Sequence, residues 1–217
     1  SSNLALYKAY LTTSKIDEIQ GAYAASNGRP QIETFMMDSN KDGNFELLVR
    51  TITDNGYGRT IGERLYGIEN GQVVELERAA HLGGDSSSSI KIVLDTQGDV
   101  SHKFAVKTNN HMGMDFSKDC IRILSYDGQK LKDEVKIEMG WYSEGGAYSK
   151  EIEKIKSETS LYESDVGNIV YYKINDKYVS LGTYSAMIDR FPEATDNFSQ
   201  MKSGTYTDPL MAYKGSF

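Results

Sequence analysis

From Gln31 to Val179 the chain is a succession of short apolar runs separated by residue pairs that turn the backbone sharply. Arg64 to Ile68 and Gln72 to Leu76 flank Asn70-Gly71. Ile90 to Leu94 and Val100 to Val106 flank Gln97-Gly98. Ile121 to Tyr126 and Lys130 to Met139 flank Asp127-Gly128. Asn-Gly and Asp-Gly accept the positive φ that tight hairpins need, so these runs read as strands of an antiparallel meander. The series Leu65 to Val73 returns loosely as Leu124 to Leu131 and again as Val170 to Val179, with spacing too uneven for a strict repeat protein. Fifteen Tyr and only three Pro point the same way, because Tyr suits a half-buried pleated surface.

The ends differ in texture. Leu4, Tyr7, Leu11, Ile16 and Ile19 recur at roughly helical spacing, which predicts one helix over residues 3–20, stopped by Gly21. Tyr184, Met187, Ile188 and Phe191 share a helical face, which predicts a closing helix over 180–191 with Ser180 or Thr183 as N-cap. Ser149 to Ser164 fits a short helix or a polar loop equally well. Gly83-Gly84-Asp85 and the serine run Ser86 to Ser89 read as a flexible loop, and residues 192–217 as a tail that is ordered only if it docks. The fold expected is therefore α+β in a single domain over 1–217. It is mainly an antiparallel β meander of about eight to ten strands over 31–179, with propeller-like hairpins and a helix at each end.

Composition limits the partners. The 217 residues carry a formal net charge of −7, with lysines scattered rather than striped, which argues against a nucleic-acid partner. No apolar run approaches the roughly 20 residues that span a bilayer. The first residue is not Met, which suggests a lost leader or tag. The single Cys120 excludes an internal disulfide and fits either side of a membrane.

Between the first two strands stands Asp38-Ser39-Asn40-Lys41-Asp42-Gly43-Asn44-Phe45-Glu46. Calcium takes six to eight oxygens at roughly 2.3–2.6 Å, and a short loop supplies them when alternate residues point inward. Asp38, Asn40 and Asp42 fill the first, third and fifth positions, Gly43 gives the turn at the sixth, and Asn44 offers a carbonyl at the seventh. An EF-hand ends on a Glu at the twelfth position, where this chain has Val49; Glu46 stands at the ninth instead. The plainer reading is an Asx-rich turn without an ion, although three carboxylates within nine residues repel one another there.

Other constellations carry less. Cys120 has no base at a telling distance in sequence, and His81, His102 and His111 lack metal-ligand spacing. Trp141 and Tyr142 beside Glu144 form either a platform for a sugar or peptide or an aromatic pair that packs on the core.

The Asp-x-Asn-x-Asp-Gly-x-x-Glu loop between two strands resembles the calcium loops of β-propeller blades such as those of the integrin α chain. That resemblance implies side-chain ligands from Asp38, Asn40, Asp42 and Glu46 and the carbonyl of Asn44. The longer stretch Phe35 to Val49, with the closing Tyr172 to Ser180 and Tyr184, looks like a segment of uncharacterised secreted proteins and lipoproteins of Gram-positive bacteria. This chain has Ser39-Asn40-Lys41 where Asp and Gly are commoner in that family. The resemblance implies an extracellular or cell-surface location, with an anchor outside this chain, and no assigned activity. The function expected is a non-catalytic, calcium-stabilised, monomeric module that binds a glycan, a peptide or an envelope partner. The alternative is a hydrolase of envelope or dietary polymers.

Overall fold

Residues Gln31–Met37 form β1 and Glu46–Asp54 form β2, paired antiparallel in one unbroken register from Gln31 opposite Ile52 to Met37 opposite Glu46. This pairing belongs to a computed structural model that describes residues 2–54, 56–194 and 201–213. The architecture is mainly antiparallel β with flanking helices, as the hairpin signals require. The chain divides into two compact units, residues 1–83, 126–132 and 194–217, and residues 84–125 and 133–193.

In the first unit β3 (Arg59–Glu69) and β4 (Gln72–His81) extend the ladder from β2, joined by Asn70-Gly71 with φ of 50° and 74°. A bulge sits between Leu65 and Tyr66. The single helix expected over 3–20 is instead two, α1 (Asn3–Tyr10) and α2 (Thr13–Gln20). Leu11 leaves helical geometry at ψ 63°, and the Thr12 hydroxyl accepts the Lys15 N–H to start the second helix. The apolar spacing survives the break, because Leu4, Tyr7, Leu11, Ile16 and Ile19 are all buried against Ile32, Leu47, Val49, Tyr66 and Ile68. Gly21, with φ 83°, ends α2, and α3 (Ala22–Ala25) follows.

The tail docks where it is described. The final short strand of the chain, Lys202–Gly204, pairs with the free edge of β1, and Leu210 and Tyr213 join the core. Residues 195–200 and 214–217 lie outside the described residues. Strand alternation sends Glu33, Arg50 and Glu63 to the sheet face opposite α1 and α2. There the Arg50 guanidinium lies 3.2 Å from Glu33 and 3.2 Å from Glu63.

The second unit holds β5 (Ser86–Asp95), β6 (Ser101–Met112), β7 (Phe116–Tyr126) and β8 (Leu131–Ser143), the last two linked by a tip that packs with the first unit. Then come α4 (Ser149–Glu158), β9 (Tyr162–Asp165), β10 (Asn168–Ile174), β11 (Lys177–Val179) and α5 (Leu181–Arg190). The strands run β5-β6-β7-β8-β10-β11, with β9 also on β10. With Lys202–Gly204 as β12, the strands number twelve among the described residues, because β9 and β12 are too short for a periodicity to reveal. The serine run is not a loop: Ser86 to Ser89 pair with Lys107 to Asn110 and spend their backbone groups in the ladder. Of the two readings of Ser149 to Ser164, the helix holds for its first ten residues.

The two helices of this unit cover opposite faces of one sheet. Tyr184, Met187 and Ile188 of α5 pack on Val93, Ala105, Ile123, Val135 and Ile137. Ile152 and Ile155 of α4 pack on Ile169 and Tyr171 from the other side. Ser180 caps α5 by accepting the Thr183 N–H. At the far end Arg190 grips the buried Asp95 with two bonds of 2.9 Å, and Lys103 adds a contact of 2.8 Å. Among the described residues no helix is long and apolar enough to cross a membrane.

Arg190 first, then Lys103 and the Gln97 N–H, hold the Asp95 carboxyl well below its ordinary value of 3.8. Its stabilising contribution is full above that value and is lost as pH falls through it towards the lower folded value. Asp95→Asn is expected to cost about 2–3 kcal/mol near neutral pH in urea unfolding. The gap from wild type should narrow by more than half by about pH 2. A gap that ignores pH would assign the loss to packing rather than charge.

Candidate functional site

The β1–β2 connection is the loop that the sequence singles out. Both main-chain groups of Phe45 are taken by α1: Asn3 Oδ1 accepts its N–H at 2.7 Å, and Tyr7 donates to its carbonyl at 2.6 Å. The exit of the loop is therefore fixed by a buried helix. Lys41 and Gly43 take positive φ of 61° and 86°, giving the tight turn that Gly43 predicts. Gly128, at the β7–β8 tip, lies against the loop. A Cβ there would sit 2.7 Å from Asp42 Oδ2, so glycine is needed for the contact as well as for its φ of 90°.

The loop's oxygens are turned on its own amides. Asp38 accepts the N–H groups of Asp42 at 3.1 Å and Gly43 at 3.0 Å, and Asp42 accepts that of Asn44 at 2.7 Å. Asn40 accepts the Asp42 N–H at 3.2 Å and donates to Asp42 Oδ2 at 2.9 Å. Glu46 stands apart at the start of β2, 2% exposed, with one oxygen bonded to the Ser39 N–H and hydroxyl at 2.8 and 2.5 Å. Among the described residues no three His, Cys, Asp or Glu side chains converge as a metal-holding group. The donor chemistry is that of a hard cation; the side chains as they stand form an Asx-turn network. Burial pushes the Glu46 carboxyl up to about 7; Ser39 opposes this, while the charges of Asp38 and Asp42 add to it.

Trp141, Tyr142 and Glu144 do not meet as one platform. The register of β8 against β10 runs unbroken from Ile137 opposite Ile174 to Ser143 opposite Asn168, so Trp141 and Tyr142 face opposite ways. Trp141 is on the side of Ile137, with His111 edge-on at 6.4 Å. Tyr142 is on the α4 side, stacked on Phe116 at 4.9 Å and near Tyr148 and Tyr171. Glu144 is exposed and ion-paired with Lys156 of α4 at 3.2 Å.

On the α4 side Tyr142 belongs to a pocket of about 230 Å³ that also involves Glu138, Tyr171, Tyr178, Lys118 and Lys173. Glu138 is 4% exposed and receives the Tyr171 hydroxyl at 3.2 Å and Lys118 at 3.1 Å. Tyr171 reaches it by lying across Gly140, where a Cβ would come within 2.5 Å of the ring. Lys173 sits over the rings of Tyr178 at 4.4 Å and Tyr171 at 5.6 Å. Tyr178 donates to Glu158 at 3.0 Å, and burial, then Glu158, push its hydroxyl up to about 12. No local motif in the sequence marks this group as a whole. Its signal is the alternation Lys136, Glu138, Gly140, Tyr142, which places a charge at an inward position; the register that sets Tyr171 opposite Gly140 is tertiary. Cys120 is half-buried opposite Thr108, and burial, then Glu138, push its thiol up, away from the reactive thiolate.

No protein-family model, no curated protein and no solved structure matches the chain.

The raised Glu46 value sets a sign. Its burial costs nothing below its ordinary value of 4.5 and destabilises the fold as pH rises towards about 7. In EDTA, Glu46→Gln is therefore expected to unfold at a higher midpoint than wild type at about pH 8, by up to about 3 kcal/mol. The advantage should vanish by about pH 3, below both values, where the wild-type carboxyl is protonated in the folded and the unfolded state alike. A pH-independent difference in thermal unfolding would show that the substitution acts through packing.

Proposed function

We propose that the chain is a non-catalytic module of a bacterial cell-surface protein, stabilised by one calcium ion in the β1–β2 loop and presenting the pocket beneath α4 to an extracellular ligand. The observation that carries the calcium reading is the loop's preorganised backbone. Asp38, Asn40 and Asp42 lie on one glycine-turned connection, with Glu46 just beyond it at the start of β2, and its exit is clamped by Asn3 and Tyr7. Rotation of short Asp and Asn side chains is then all that is needed to exchange amide partners for an ion, with little backbone ordering left to oppose binding. Asn44 supplies a carbonyl, and Glu46 an acceptor whose second oxygen carries no bond to Ser39.

The ion's task is structural. It would neutralise three carboxylates held on one turn and tie β1 to β2. Calcium modules outside the cell bind with dissociation constants of roughly 10⁻⁴–10⁻³ M, which suits an exterior where calcium is plentiful. The pocket favours binding over catalysis, because both oxygens of Glu138 already have donors and the nearby Cys120 thiol is pushed up rather than down.

Thermal unfolding tests the calcium reading. With about 10 mM calcium and a dissociation constant of about 0.1 mM, the folded state gains about 2.7 kcal/mol over EDTA. Magnesium should give much less, since it demands a tighter octahedral shell. Asp42→Ala is expected to lower the midpoint in EDTA, because Asn44 loses its acceptor, and to abolish the calcium increment. Equal midpoints for wild type in calcium and EDTA would reduce the loop to a polar turn.

A further inference from the structure

The pocket beneath α4 is smaller than the roughly 300–1,000 Å³ of sites for drug-sized ligands, so it has room for one ring-sized group. Its charges balance, three lysines against three glutamates. They are also interleaved: Lys118 pairs with Glu138 at 3.1 Å and Lys154 with Glu158 at 3.9 Å. A zwitterion such as an amino acid needs a positive end and a negative end, and interleaved pairs offer neither. A phosphate-like anion would meet three carboxylates among the same side chains. Hydroxyl groups fit such a wall, because each both donates and accepts and can bridge an ammonium to a carboxylate.

Two further features select the ligand. The ammonium of Lys173 is held over the faces of Tyr171 and Tyr178, with no carboxylate within 4 Å among the described residues. The aromatic faces attract the charge but leave its N–H donors for another acceptor. Tyr142, Tyr171 and Tyr178 supply flat apolar surface beside these polar groups, which suits a ring with one apolar face and a polar edge.

We propose that the pocket formed by Glu138, Tyr142, Tyr171, Lys173 and Tyr178 binds a single neutral sugar ring, with Lys173 donating to a hydroxyl and the tyrosines packing against the ring. The proposal rests on reading this pocket as the module's ligand site. It makes the module a glycan binder and leaves Trp141, on the other face of β8, outside the subsite.

Ligand-observed NMR on the full chain tests it. The probes are glucose, galactose, mannose and N-acetylglucosamine, with alanine and inorganic phosphate as the zwitterion and anion arms. At least one sugar is expected to show saturation transfer and to shift the amide signals of Gly140 and Tyr178, and alanine and phosphate are not. Lys173→Met keeps the aliphatic stem over the rings and removes the donors; it should weaken sugar binding about tenfold or more at an unchanged thermal midpoint. Trp141→Phe is the second variant. It lies on the opposite face of β8, outside the pocket, so it should leave sugar binding unchanged. Shifts at Gly140 and Tyr178 with alanine or phosphate, and none with any sugar, would overturn the ligand class while keeping the pocket as the site. Silence from every probe would overturn both. Sugar binding that Lys173→Met leaves intact would move the subsite elsewhere.

Discussion

Strand alternation governs this molecule, because the ladders of both units have inward positions on both faces. In the second unit a residue of β8 has only two destinations. Val135 and Ile137 go under α5, while Tyr142 goes under α4. A slip of one residue would exchange the two sets and set Glu138 and Lys136 against the apolar side of α5. The register is therefore fixed by the incompatibility of the two faces as much as by the hairpin turns. In the first unit the same rule sends Ile32, Leu47, Val49 and Tyr66 to α1 and α2, and Glu33, Arg50 and Glu63, with the buried Leu48 and Leu65, to the other side.

Buried charge follows from that rule. Arg50, Glu63, Glu138 and Asp95 are each less than a tenth exposed, and each has an oppositely charged partner. Such pairs add little net stability, since desolvation offsets much of their attraction, but the loss of one partner is costly. They make the fold particular about its register. Glu46 is the exception. Its partner is the neutral Ser39, and its neighbours Asp38 and Asp42 share its sign. A cation is the component that would bring it into line with the other buried charges.

The loop and the pocket use the scaffold differently. The loop is a surface turn made rigid from behind by α1, through Asn3 and Tyr7. The pocket is a gap between a helix and a sheet, floored by Glu138 and opened by Gly140, whose missing Cβ lets Tyr171 lie flat across the strand. On the proposed reading, the ion and the ligand would each be held by a separate set of residues.

Legible in the residues alone were the antiparallel meander, the hairpin turns at Asn70-Gly71 and Asp127-Gly128, the closing helix with Ser180 or Thr183 to cap it, and the Asp38–Glu46 loop. Each of these is a local signal: a period of two or nearly four, a residue that tolerates positive φ, or a short side chain that caps. The sequence did not reveal the break at Leu11, because Leu11 keeps its place in the helical apolar pattern while its backbone leaves the helix to let Thr12 cap α2. It did not place the serines of β5 in the ladder, because polar residues carry no apolar period although their backbones pair as well as any. Above all it joined Trp141 to Tyr142 because they are adjacent, whereas the pleat separates them. Tyr142 shares a pocket with Glu138, Tyr171, Lys173 and Tyr178 because β8 pairs with β10 and α4 docks over them, long-range contacts that leave no mark in local sequence.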